Sequence, residues 1–170
     1  MKTLIVCYSM SGNVASVSER IAKEAGASVL RIYPEESYPD KGAKKFLWGG
    51  KSALMGEKPA LLPYEVNWDD YEHVVVAYPV WAATFPPPIR SFVLQNAEEL
   101  KKKRLSAVAC FAGSGAEKSL KKLAAFLGVE TFFATACIQD PYKKKPEIQE
   151  NNENAIREFV DRIAAAGPSS

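Results

Sequence analysis

The stretch that decides the fold is "VCYSMSGNVASVSERIA", residues 6–22. An apolar run ends at Cys7, and uncharged small and polar residues fill 9–13. Val14, Val17, Ile21, Ala22 and Ala25 then repeat at helical spacing. Strand, tight loop and helix in this order open a βαβ unit. The free N–H groups at a helix start, together with its positive dipole end, attract anions. Gly12 lets a ligand approach the backbone closely. Ser9, Ser11 and Asn13 add side-chain donors, so this loop suits a phosphate without a lysine or arginine. Ser and Asn are also ordinary helix caps, and capping alone is the competing reading.

Working outward, the same alternation recurs. Apolar runs at 3–8, 28–32, 73–78, 106–111 and 131–138 read as strands, most of them continuous enough to be buried on both faces. Between them lie helical patterns: Phe46, Leu47, Ala53 and Leu54 within 41–56; Ile89, Phe92 and Val93; Leu120, Leu123, Ala124 and Leu127; and Ala155, Ile156, Phe159, Val160 and Ile163. Strict alternation predicts an α/β fold, a single-domain doubly wound five-stranded parallel sheet of order 2-1-3-4-5 with helices on both faces. The domain spans 1–166, and 167–170 form a short tail. The connection 33–72 is too long for a bare loop, which places a helix within 41–56.

Bulk properties remove several function classes. With 22 Lys and Arg against 20 Asp and Glu, net charge is +2, too balanced to argue for nucleic acid or a membrane surface. The "KKKR" run at 101–104 reads as a solvated turn before a strand. No stretch approaches a membrane span, and "MKTLIVCYS" reads as a first strand and not a leader. The 3 cysteines, Cys7, Cys110 and Cys137, sit in apolar runs without CxxC spacing, which argues against a disulfide framework or zinc site and fits a cytoplasmic protein. His73, the lone histidine, precedes the third strand, away from the ligand edge.

In such a sheet, ligands sit beyond the carboxyl ends of the strands at the switch point between strands 1 and 3. Three segments meet there: 8–14, 78–88 and 111–117. Other phosphate loops fail on spacing. Gly50-Lys51-Ser52 lacks the upstream glycine of a P-loop, and Gly113-Ser114-Gly115 is followed by Lys118 where a dinucleotide fingerprint needs glycine. In "YPVWAATFPPP", 78–88, Trp81 and Phe85 offer flat surfaces on which a planar heteroaromatic ring can rest. In "FAGSGAEKS", 111–119, small residues leave room for a ring edge.

Together these loops carry a resemblance. "YSMSGNV" resembles the phosphate loop of the flavodoxin family, "YPVWAATFPPPIRSF" resembles that family's ring-flanking loop, and "FAGSG" stands where its third loop belongs. The resemblance implies non-covalent FMN. Carried over by position, Ser9, Ser11, Gly12 and Asn13 would hold its phosphate, with Met10 and Val14 completing the loop. Pro79, Val80, Trp81 and Ala82 would line the ring, and Ala112, Gly113, Ser114 and Gly115 would meet its pyrimidine edge. The sequence departs from the family pattern at three points. Val14 replaces a hydroxyl residue, Ala82-Ala83 stand where a glycine is common, and the family's strong acidity is missing.

The resulting expectation is an FMN-binding electron-transfer protein, working as monomer or homodimer with redox proteins or small electron acceptors. The alternative is an NAD(P)H:acceptor (quinone) reductase on the same scaffold, with NAD(P)H as a direct partner. A flavin-free binding domain is the third reading. No general acid–base machinery stands out in the sequence.

Overall fold

In the computed structural model, residues 2–38, 56–140 and 143–166 are described. Residues 41–55 of the helix predicted within 41–56, and the tail 167–170, lie outside them. Five parallel strands form one sheet: β1 (Thr3–Cys7), β2 (Ser28–Arg31), β3 (His73–Pro79), β4 (Arg104–Phe111) and β5 (Thr135–Gln139), in the order β2-β1-β3-β4-β5. Among the described residues the helices are α1 (Asn13–Ala25), α2 (Pro87–Gln95), the short α3 (Ala97–Leu100), α4 (Ala116–Leu127) and α5 (Pro146–Ala164). The predicted fold class and strand order are those observed.

The period of two along each strand divides the core. Leu4, Val6, Val74, Val76, Ala107 and Ala109 face one side, where Ile89, Phe92 and Val93 of α2 and Leu120 and Leu123 of α4 cover them. Ile5, Cys7, Val75, Ala77, Val108 and Ile138 face the other, beneath Val14, Val17 and Ile21 of α1 and Ile156, Phe159 and Ile163 of α5. β1, β3 and β4 are covered on both faces, which is why their sequences are nearly all apolar. β2 is an edge strand, and its Ser28 and Val29 are exposed.

One boundary differs from the expectation. The apolar run 131–138 was predicted as a strand throughout, but β5 begins at Thr135. The Phe133 ring leaves the strand pattern to pack edge-on against His73, with centroids 5.8 Å apart. The guanidinium carbons of Arg104 and Arg162 lie 4.5 and 5.2 Å from its centroid.

His73 is fully buried at the amino end of the sheet. Its Nδ1 lies 3.3 Å from Thr3 Oγ1 and its Nε2 2.8 Å from Ser106 Oγ. Ser106 Oγ also accepts the Ala134 N–H at 3.1 Å. Burial, reinforced by the Arg104 charge, holds the imidazole pKa down to about 4. This histidine joins β1, β3 and β4 and, through Ser106, the segment that leads into β5, far from the carboxyl edge.

The Lys101–Arg104 run is also structural. Lys101 and Lys102 pair with Glu98 and Glu99 at 2.7 and 3.0 Å. Lys103 Nζ donates to the carbonyls of Trp68 and Tyr71 at 2.7 and 2.8 Å.

Candidate functional site

Leaving β1, the chain turns at Ser9, whose buried Oγ accepts the Gly12 N–H at 3.1 Å. Gly12 then caps α1 with φ +93°, and no side chain caps that helix. A Cβ at Gly12 would meet nothing within 4 Å, so it is the left-handed backbone and not space that requires glycine. The turn bond to Gly12 accounts for the Ser9 hydroxyl, and capping does not account for the side chains of Ser11 and Asn13. Among the described residues no side chain accepts from the first-turn N–H groups of α1, and the helix dipole adds to their pull on an anion.

The loop contains no cation, but one braces it from the edge strand. Arg31 Nη2 donates to the Ser9 carbonyl at 3.1 Å. Its Nε is buried without a hydrogen-bond partner among the described residues, and the guanidinium lies 5.2 Å from the Tyr33 ring centroid. Arg31 thus places positive charge behind the loop.

The second loop leaves β3 through Val80, whose N–H reaches the Cys110 carbonyl at 2.8 Å. Trp81 and Thr84 exchange both backbone hydrogen bonds at 3.0 Å. The two residues between them, Ala82 and Ala83, have φ of +51° and +54°. This is a two-residue turn of the kind that favours Asn-Gly, here built from alanines at about 1–2 kcal/mol each. Trp81 is buried on one side, edge-on to Tyr8 at 5.7 Å and to Tyr38 at 5.3 Å. Phe85 points elsewhere: it is 2% exposed and packs on Phe126, with Arg90 4.9 Å from its centroid.

The third loop starts at Phe111, whose carbonyl accepts the Asp140 N–H at 2.8 Å. The Ala112 carbonyl receives Gln139 Nε2 at 3.3 Å and Lys143 Nζ at 3.2 Å. Gln139 is itself held by Asn152 of α5, which accepts its N–H at 3.0 Å and donates to its carbonyl at 2.7 Å. At the loop's end Gly115 caps α4 with φ +92°. A Cβ on Gly115 would fall 2.9 Å from Ala83 Cβ and 3.0 Å from Ala83 Cα. The second and third loops therefore touch at a point where only glycine fits. Below it, the Tyr78 hydroxyl donates to Ser119 Oγ at 3.0 Å, and Ser119 in turn donates to the Ala116 carbonyl at 2.6 Å, pinning α4 to β3.

These loops enclose a cleft of about 200 Å³. Ser9, Met10, Ser11, Asn13 and Val14 line one end. Pro79, Val80, Trp81 and Ala82 form one wall, and Cys110, Phe111, Ala112 and Asp140 complete the lining. Of the other residues expected there, Gly12 stands behind the lining as the helix cap. Gly113 and Ser114 are exposed and do not line the cleft, and Gly115 is turned against Ala83. The cleft pairs helix-end donors with flat apolar walls, which fits a ligand with an anionic end and a planar ring. Its volume is small for full enclosure, so such a ligand would stand partly in solvent. No group of residues suited to a metal ion occurs among the described residues.

The flavodoxin family profile matches residues 2–132. The chain belongs to the flavodoxin family. Among solved structures, the chain is similar to a protein from Bacteroides eggerthii described as a flavoprotein, at 22% identity and TM-score 0.73, over 97% of this chain and 99% of that one. It is similar to a Lactobacillus acidophilus flavoprotein in complex with FMN, at 18% identity and TM-score 0.69, over 80% and 92%. A flavodoxin of Streptococcus pneumoniae aligns at 14% identity and TM-score 0.51, over 97% and 99%. At these identities the likeness is one of fold. No curated protein matches the chain in sequence.

Several residues of the candidate site are not among those the sequence predicts. Cys110 and Asp140 line the cleft, while Arg31, Gln139, Lys143 and Asn152 hold its loops. The signal for Cys110 was available, since it stands at the carboxyl end of β4, next to β3 of the switch point; Asp140 stands just past the carboxyl end of β5, the far edge strand. Burial pushes the Cys110 thiol up to about 12, so it lines the cleft as an apolar group and not as a nucleophile.

Proposed function

We propose that this protein binds FMN in the cleft and works as an electron carrier. One observation carries the reading: an α1 N-terminus without a side-chain cap, ringed by Ser9, Ser11 and Asn13, opens into the same cleft as Trp81. Helix-end N–H groups and hydroxyls suit a phosphate dianion, and Arg31 behind the loop adds favourable charge. Pro79, Val80, Trp81 and Ala112 would flank the ring. When bound, FMN supplies the redox chemistry, and the protein supplies binding, orientation and electrostatics. Asp140 is the one ionisable side chain besides the buried Cys110 thiol among the described residues that line the cleft, which favours a carrier over an enzyme with acid–base machinery.

The reductase reading draws on the exposure of Ala82 and Ala112, which leaves the cleft mouth free for a nicotinamide. Absorption spectra of the purified protein, with FMN fluorescence quenching on titration, test the cofactor. A colourless protein that quenches no FMN overturns the proposal. Anaerobic mixing of the holoprotein with NADPH separates the two activities, because rapid bleaching would replace the carrier with the reductase.

A further inference from the structure

The chain has two runs of three lysines, and the structure treats them differently. In the first, Lys101 and Lys102 are neutralised by Glu98 and Glu99, and Lys103 is spent on two carbonyls. The second, Lys143–Lys145, is exposed, and no ion pair holds it among the described residues. It stands beside the cleft. Asp140, just before it, lines the cleft, and Lys143 Nζ rests on the carbonyl of Ala112, another lining residue. From the other end of the same loop, α4 presents the exposed Lys118 in its first turn.

We propose that Lys118 and Lys143–Lys145 form a docking rim for a redox protein with an acidic face, seated over the cleft mouth. The redox role rests on the FMN-carrier reading; the docking itself does not. Glu117 and Glu147 lie on the same helix starts, and Asp140 faces the cleft, but neither glutamate is ion-paired to these lysines. A protein partner fits better than a dinucleotide. A dinucleotide phosphate needs donors converging in a concavity, and none of these four lysines lines the cleft. Spread, solvated charges instead steer a large partner of opposite sign and act on its association rate.

The test uses an acidic plant-type [2Fe–2S] ferredoxin and basic cytochrome c as probes. The variant is Lys118→Glu/Lys144→Glu/Lys145→Glu, which spares the Lys143 contact to Ala112. A control, Lys23→Glu/Lys101→Glu/Lys102→Glu, changes net charge equally at positions outside the rim. At about 20 mM salt the wild type should bind ferredoxin at least ~10-fold more tightly than the rim variant, a gap that closes near ~0.5 M as screening shortens the reach of charge. The control should stay within about twofold of the wild type, and the rim variant should gain affinity for cytochrome c. Equal binding by wild type and rim variant, an equal loss in the control, or a wild-type preference for cytochrome c overturns the proposal. So does a rim variant that loses only its reaction with NADPH, since the rim would then read a dinucleotide phosphate. FMN titration of the same proteins is scored separately: failure there sinks the cofactor reading and leaves the docking result standing.

Discussion

Acidification should unload stability through His73. The imidazole is fully buried between Thr3 and Ser106, with its folded pKa held to about 4 against an ordinary 6.5. The unfolded chain therefore takes up the proton first. Between these two values the unfolded state binds more protons, so stability rises with pH across that window. The contribution is complete above about pH 6.5, is lost as pH falls toward 4, and does not change further below that. A gap of about 2.5 units at 1.36 kcal/mol each gives about 3 kcal/mol in all, of which about 2 kcal/mol is gone by pH 5. The assay is urea unfolding followed by tryptophan fluorescence at pH 7, 6, 5 and 4.5, on the wild type and His73→Gln. The wild type should lose about 2 kcal/mol between pH 7 and 5. The variant should start less stable and stay nearly flat over that range. Equal pH slopes for the two proteins would refute the reasoning.

Three further outcomes follow from the cleft. Ser11→Ala should weaken FMN binding by about 10-fold or more, the value of a hydrogen bond to a charged group, read by fluorescence titration; unchanged affinity would remove Ser11 from the phosphate loop. Gly115→Ala should destabilise by roughly 2–4 kcal/mol, because its φ of +92° and the 2.9 Å approach to Ala83 Cβ both disfavour a side chain. Calorimetry of the same change in an Ala83→Gly background should show a smaller loss. Ala83→Gly alone should raise the melting temperature slightly, by up to about 1 kcal/mol of stability, since it relieves a positive φ at the cost of a looser unfolded chain.

Legibility in the sequence followed the range of the interactions. β1, β3 and β4 were plain because burial on both faces leaves no polar position, and the β1–α1 loop because its chemistry is local. The start of β5 was misplaced because Phe133 satisfies an apolar pattern while its ring serves His73 and two arginines. The left-handed pair Ala82-Ala83 carries no signal of its own, since alanine is an ordinary choice almost anywhere else; only the resemblance, which puts a glycine there, pointed to it. Gly115 looked like a ligand-binding residue, yet its lack of a side chain answers to Ala83. Arg31, Gln139, Lys143 and Asn152 reach the site across strand neighbours or from distant helices, and only the folded sheet shows which loop each one holds.

Asn152 has one more consequence. Its amide gives one acceptor and one donor to the two main-chain groups of Gln139, as a neighbouring strand's peptide would. At the cleft end, the free border of the sheet is therefore already occupied by a borrowed peptide. An incoming strand that tried to extend the sheet there would first have to evict an amide anchored on a 19-residue helix. At Gln139, the last residue of β5, a single side chain closes the free border to strand addition.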